Sequence, residues 1–311
     1  MIWHLAWPQI LMMVFHFLIG FVDVYVAGQI GEDVQAALGM ITQTLLFFLI
    51  IAIALANGSV SAISQSLGAQ KPLRAMRYVT MVLTLVFSLS LLLAAVAYPF
   101  RGILLDLLRT PSAIYSLTDA FLRVYLLILP AYYLLVVSNA VFRAQKQVHI
   151  PLLSMILVTG TNTAMDFALC FGLFGFPDLG PIGLAWATLI SVSCGCAFNC
   201  LLLLRRGWFK PSAIPPLRWM KKALPYLWLV AWPAGLMQTL WQTAYLVLFA
   251  ITASLPRGEV VALAALAAGI RVESLLFLPA FALNMTASIL VGHALGQDDF
   301  DQAKRIGLMI W

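Results

Sequence analysis

Three carboxylates, Asp23, Asp166 and Glu273, lie inside stretches otherwise built of aliphatic and aromatic residues. An acid at the centre of a membrane-spanning helix costs about 2.5–3.5 kcal/mol on insertion scales, so each needs a chemical reason to be there. The functional reason is a proton or a cation to carry. The plainer alternative is a protonated acid hydrogen-bonded for packing. Gln9 and His16 precede Asp23 at heptad steps and share one helical face with it, while Gly20 and Ala27 flank the acid and leave room for a neighbour. On that face His16 could share a proton with Asp23. Thr159, Asn162, Thr163 and Asp166 follow one another at helical spacing and form a single polar stripe. Oxygen ligands on successive turns suit a hard cation such as Na+; a structural polar seam is the alternative. Arg271 and Glu273 are too close in sequence to face each other on a helix. Arg271 is therefore expected to snorkel or to pair with another helix, and Glu273 is a further candidate for transport or ion binding.

Other chemistries find less support. His4, His16, His149 and His293 are scattered and form no metal cluster. The four cysteines, Cys170, Cys194, Cys196 and Cys200, sit in apolar runs without zinc or haem spacing and read as small hydrophobes. Asp298, Asp299 and Asp301 read as the acid-rich start of a helix, with Arg305 one turn beyond Asp301, rather than as a metal motif. Tyr132, Tyr133, Trp186 and Trp241 could line a cavity, although most such aromatics face lipid or core.

The elements that must hold these residues are long apolar helices. The chain has 311 residues, is 63% hydrophobic and only 10% charged, and has a mean hydropathy of +0.98. A water-soluble fold would have too few polar side chains to cover its surface; a bilayer supplies an apolar outer solvent. Eight candidate spans appear, at about 3–28, 36–63, 75–99, 120–142, 150–175, 181–204, 224–253 and 260–292, and a further one begins near Gln302. The fold class expected is an all-α membrane protein, a polytopic helical bundle. The first apolar segment has no small-residue cleavage site and reads as a true span rather than a signal peptide. With the amino terminus inside, thirteen basic residues fall in inside loops, among them Arg143, Lys146, Arg205 and Arg206, against four outside, at Arg101, Arg109, Arg123 and Arg257. That bias predicts a cytoplasmic amino terminus. The net charge of +6 thus reflects topology and not nucleic-acid binding.

Ala6-Trp7-Pro8 recurs as Ala231-Trp232-Pro233, and Leu11-Met12 as Leu236-Met237, both at an offset of 225 residues. Farther along, Leu67-Gly68, Ala75 and Arg77 recur at an offset of 228. Six spans lie between the two copies, so insertion direction is kept. A parallel six-helix repeat follows, related by an axis along the membrane normal, with the transport path between the halves. The expected organisation is an amino-terminal lobe at 1–204, a basic cytoplasmic linker at 205–222, and an incomplete carboxyl-terminal lobe at 223–311. By the same spacing a full second repeat would reach residue ~450, so the chain is expected to lack about three and a half spans of a longer protein.

The residues Ala6-Trp7-Pro8, Phe21-Val22-Asp23-Val24-Tyr25-Val26-Ala27-Gly28, Gln65-Ser66-Leu67-Gly68-Ala69, Gly183-Leu184-Ala185-Trp186-Ala187-Thr188, Arg271-Val272-Glu273-Ser274 and Val291-Gly292-His293-Ala294-Leu295-Gly296 resemble, in order and spacing, the MATE (multidrug and toxic compound extrusion) exporters. The likeness is strongest to the DinF-like branch and covers essentially the whole chain. It implies a two-lobe antiporter that expels cationic amphiphiles in exchange for Na+ or H+. It also implies that Asp23 is the coupling residue, that α-helical bending occurs at Pro8, and that Asn162 and Asp166, with Thr188, supply the amino-lobe cation site. One departure is that Gln238-Thr239-Leu240-Trp241-Gln242-Thr243 carries no acid where many relatives have one in the seventh span.

The function expected is therefore a cation-coupled antiporter exporting cationic or amphiphilic drugs or metabolites across a bacterial inner membrane by alternating access. It needs no cofactor beyond its coupling ion, works as a monomer among membrane lipids, and is not an enzyme. A lipid-linked oligosaccharide flippase of the same superfamily is the alternative; it would need a cationic central cavity, for which Arg271 is the one clear intramembrane cation. A membrane transferase would need clustered catalytic acids or histidines at one face, and the three acids lie on separate spans.

Overall fold

The computed structural model describes residues 2–108, 110–210, 213–253 and 259–310, without the side chains of 246, 249–250, 253, 259–265, 267–268, 270–272 and 274. Among these residues all regular structure is helical. Ten α-helices follow in order: α1 (Ile2–Ile30), α2 (Glu32–Gly68), α3 (Pro72–Ala97), α4 (Arg101–Leu107), α5 (Tyr115–Ala144), α6 (His149–Phe171), α7 (Gly183–Arg205), α8 (Leu217–Ala253), α9 (Glu259–Gly296) and α10 (Phe300–Ile310). Helix is forced by the medium, since no water is present in a bilayer core to take up free backbone N–H and C=O groups. Seven of the described helices contain segments long and apolar enough to cross a membrane: α1, α2, α3, α5, α6, α7 and the Leu275–Gly296 part of α9. At 37 residues, α8 holds the seventh expected span, its apolar surface interrupted by Gln238, Thr239, Gln242 and Thr243.

Local chemistry sets the ends. Lys71 and Pro72 start α3, Pro72 supplying a ready-made φ at a position whose N–H is free anyway. Gly172 ends α6 in a left-handed conformation (φ 63°), with its N–H on the Ala168 carbonyl, so the helix stops at Phe171 and not near 175 as its hydropathy predicts. The basic linker is shorter than expected, because α8 already begins at Leu217 and takes up Arg218, Lys221 and Lys222. Between the expected third and fourth spans lies the short helix α4. Its Arg101 bonds Asp119 at 2.8 Å, and Asp119 is shared with Arg123 one turn on, at 2.7 Å. The acid start at 298–301 behaves as a cap: the Gln302 N–H donates to Asp299 Oδ1 at 2.8 Å.

Helices α2, α3, α5, α6 and α7 form the main packed body, with α1 laid against α6. With no hydrophobic drive between helices in lipid, small residues and polar clamps decide the packing. A Cβ at Gly183 would lie 2.8 Å from the Leu169 carbonyl group, so only glycine lets the start of α7 meet the end of α6. Buried Asn199 on α7 donates to Ser138 Oγ at 2.9 Å and to Asn139 Oδ1 at 2.8 Å on α5. Asn199→Leu should lower stability by about 1–2 kcal/mol, since it leaves two buried acceptors on α5 without their donor; a fall in thermal midpoint in detergent checks this, and an unchanged midpoint would contradict it.

The four cysteines are free. The repeat is visible as an interface. Gly68 on α2 packs on the backbone of His293, and Gly296 on α9 packs on the backbone of Gln65. Each pair becomes the other under an offset of 228 residues, and Ser64 meets Gly292, its own counterpart under that offset. Likewise Gly58 on α2 abuts Ala231 of α8, while Gln9 on α1 hydrogen-bonds Thr286, the counterpart of Gly58, on α9 at 2.8 Å. Such reciprocity is the mark of a two-fold relation.

Candidate functional site

Asp23 comes from the last third of α1, and Asn162 and Asp166 from successive turns of α6. Because α1 and α6 pack side by side, these three side chains meet. Asp23 is in direct side-chain interaction with both Asp166 and Asn162. Asn162 and Asp166 are fully buried, at 0% exposure, and Asp23 is half-buried. None of these contacts is a closed hydrogen bond. Asp23 Oδ1, both Asp166 oxygens and both polar atoms of the Asn162 amide are buried without a partner among the described residues. Five orphaned polar atoms in one place are unusual, since nearly all buried polar atoms in native folds are paired. Two carboxylates in one low-dielectric pocket cannot both stay charged unless a cation lies between them.

The rest of the pocket comes from α5 and α7. Buried Tyr125 reaches the Thr188 hydroxyl and lies in the field of both acids, and Tyr132 lies near Asp23. Thr188 thus stands one side chain away from the acids, with its own hydroxyl donated to the Leu184 carbonyl at 3.0 Å. Within the stripe on α6, Thr159 is already committed to the Phe15 carbonyl on α1 at 3.2 Å. Hard oxygens from Asp23, Asp166 and Asn162, with Thr188 and Tyr125 behind them, fit an alkali cation with some water, or a shared proton. Among the described residues no three His, Cys, Asp or Glu side chains gather to hold a transition metal.

Several expectations end elsewhere. His16 lies on the exposed surface of α1 and is not among the groups acting on Asp23, so the proposed proton-sharing pair is not formed. Seven residues of helix correspond to about 10.5 Å along the axis, which explains the gap. Gln9 faces Thr286 across the lobe interface instead of Asp23. Pro8 is buried inside α1, which runs from Ile2 to Ile30 as one helix. Glu273 is half-buried on α9 beside Tyr245 of α8 and is not among the groups acting on Asp23 or Asp166. The Arg271 side chain lies outside the described residues. Of the cavity aromatics, Tyr133 is wholly buried with its hydroxyl on the Phe48 carbonyl, a packing role. Trp186 and Trp241 are exposed on the bundle surface.

Residues 8–168 and again 233–311 match the MatE family model. The chain belongs to the MatE family. The two matches begin 225 residues apart, at Pro8 and Pro233, the offset of the Ala-Trp-Pro repeat. MatE relatives include the Bacillus subtilis protein named probable multidrug resistance protein YoeA, 27% identical over 282 residues, covering 89% of this chain and 60% of that protein. The Thermotoga maritima protein named probable multidrug resistance protein NorM is 26% identical over 294 residues, 93% of this chain and 61% of its own length. A Shewanella oneidensis FAD transporter is 26% identical over 287 residues, 92% of this chain and 63% of its own length. The chain thus spans about three fifths of the length of these relatives. Among solved structures, the Vibrio cholerae MATE transporter VcmN superposes with a TM-score of 0.91 at 24% identity, over 99% of this chain and 68% of that one. A MOP superfamily transporter from Pyrococcus furiosus superposes with a TM-score of 0.88 at 21% identity, over 99% of this chain and 67% of that one. The protein is a multi-pass membrane member of a transporter family, not an enzyme.

Of the two tyrosines, Tyr132 is one of the aromatics expected at a cavity, whereas Tyr125 carries no signal of its own in the sequence. They lie seven apart on one face of α5, which would have flagged them once that face was known to point at Asp23. Arg143, expected in an inside loop, belongs to the last turn of α5 and is 8% exposed.

Proposed function

We propose that this chain forms the amino-terminal lobe, 1–204, and the start of the carboxyl-terminal lobe, from 223, of a cation-coupled antiporter that exports small amphiphilic drugs or metabolites from the cytoplasm. The observation that carries this is the cluster of orphaned oxygens on Asp23, Asn162 and Asp166, inside one lobe of a two-fold bundle. In this reading Na+ or H+ enters from outside and binds between Asp23 and Asp166. Neutralising the pair changes how α1 packs on α6, and through the Gln9–Thr286 bond α1 is tied to the opposite lobe. Binding of the ion is thereby linked to the lobe interface, where substrate would be released outward. Inward return of one cation contributes about 2.3 kcal/mol per 100 mV. The basic residues around 205–222 support a cytoplasmic amino terminus, and the bacterial sources of the relatives support an inner-membrane location. The names of those relatives, multidrug resistance proteins and an FAD transporter, favour solute export over lipid flipping.

The test is efflux of a fluorescent amphiphile from proteoliposomes driven separately by a Na+ gradient and by a pH gradient. Either gradient alone should drive accumulation against the amphiphile's concentration. Equal, gradient-independent leakage under both would overturn the reading.

A further inference from the structure

Where the repeats meet, α2, α5, α8 and α9 enclose a cavity of about 340 Å3. Its polar lining is Asn57, Ser61 and Gln65 from α2, Asn284 and Ser288 from α9, and Arg143 from the end of α5. A guanidinium offers five N–H donors and keeps its charge. Arg143 is 92% buried, yet among the described residues it donates only to Met285 Sδ, at 3.4 Å, a weak acceptor. No carboxylate lines the cavity, and the ion pairs among the described residues are formed on Asp119. A buried cation without a counter-charge is costly. The neighbouring charges do not offset it: Lys146 and His293 line the adjoining cavity beside it and are themselves basic. Partial burial pulls the Lys146 ammonium below its ordinary pKa, another sign that no acid is at hand.

We propose that this inter-lobe cavity binds the anionic group, a carboxylate or phosphate, of the transported molecule, with Arg143 as its counter-charge. The substrates then include zwitterionic or anionic amphiphiles and not cations alone. A planar guanidinium suits two-pronged binding of such a group. The amides of Asn57 and Asn284 and the hydroxyls of Ser61 and Ser288 offer neutral donors around it. The site lies beside the Ser64–Gly292 crossing, between the halves, where a carrier of this symmetry places its path. The proposal rests on reading the chain as a carrier, but its test uses equilibrium binding and needs no ion gradient, so a failure of coupling leaves the result intact.

The probes are dansylglycine and its methyl ester, which differ in one negative charge. Binding is followed by dansyl fluorescence with the purified protein in phosphatidylcholine nanodiscs. The wild type should bind the acid about tenfold more tightly than the ester, the worth of one charge-assisted contact. Arg143→Gln should lose that preference while its affinity for the ester stays unchanged, and Arg143→Lys should keep part of it. Equal binding of acid and ester by the wild type, or an undiminished preference in Arg143→Gln, would overturn the proposal. If Arg143→Gln binds neither probe, Arg143→Lys decides: preference kept supports the site, preference lost refutes it. Adding phosphatidylglycerol to the nanodiscs should leave dansylglycine binding unchanged; suppression would assign the cavity to a lipid headgroup and overturn the substrate assignment.

Discussion

Asp23→Asn should insert and accumulate like the wild type and lose gradient-driven efflux. The substitution keeps the shape of the side chain and removes the charge that pairs with Asp166 across the α1–α6 contact. A single carboxylate, Asp166, then remains with Asn162, and one acid with one amide no longer forms a two-state proton or cation trap. If one cation is coupled per cycle, the lost driving force is about 2.3 kcal/mol per 100 mV. That corresponds to a fall of about 50-fold in the attainable substrate ratio. Asp166→Asn should do nearly the same, because both of its oxygens are buried and unpaired. Glu273→Gln should have a smaller or equal effect, since Glu273 sits in the other half against Tyr245. The measurement is substrate accumulation in vesicles with membrane content normalised by immunoblot. Wild-type accumulation by Asp23→Asn would remove this pair from the mechanism.

The second large effect is expected at the crossing of α2 and α9. Ser64 and Gly292 face each other at the two-fold axis, with a Cβ placed on Gly292 lying 3.0 Å from Ser64 Cβ. Disulfide-linked residues have Cβ atoms about 3.5–4.5 Å apart, within reach of a small outward relaxation. The double variant Ser64→Cys, Gly292→Cys, with the four native cysteines replaced, should therefore cross-link almost completely under mild oxidation. If the halves must separate here for the cavity to open to the other side, cross-linking should stop efflux and reduction should restore it. Gly68→Val should act in the opposite sense, because its new methyls would meet the His293 backbone, which cannot move aside as a side chain can. It should reduce cross-linking at 64 and 292. A fully cross-linked protein with undiminished efflux would show that this contact is static.

Much of this protein was legible before any fold. An acid in an apolar run is an energetic anomaly detectable one residue at a time, so Asp23, Asp166 and Glu273 stood out from hydropathy alone. Helical spacing then joined Asn162 to Asp166, because a helix brings i and i+4 together whatever surrounds it. Length and composition required membrane helices, since backbone hydrogen bonds in lipid leave little choice. The offset between Pro8 and Pro233 required a parallel repeat, because an even number of spans separates the copies.

What needed the tertiary structure was every relation between helices. Asp23 meets Asp166 only because α1 packs on α6, and nothing local to either residue states that pairing. Gln9 and His16 share a helical face with Asp23 yet not its surroundings: Gln9 is held by Thr286 of the other half and His16 is exposed. Tyr125 is an ordinary aromatic in sequence and becomes a neighbour of both acids only through the α5–α7 contact. Arg143 belongs by sequence to a run of loop cations that set topology. The packing of α2, α8 and α9 around the end of α5 is what encloses it. A sequence records the free energy of each residue against its solvent and its own helix, whereas the choice of neighbour is made by small residues, such as Gly68, Gly183 and Gly292, whose partners lie far away along the chain.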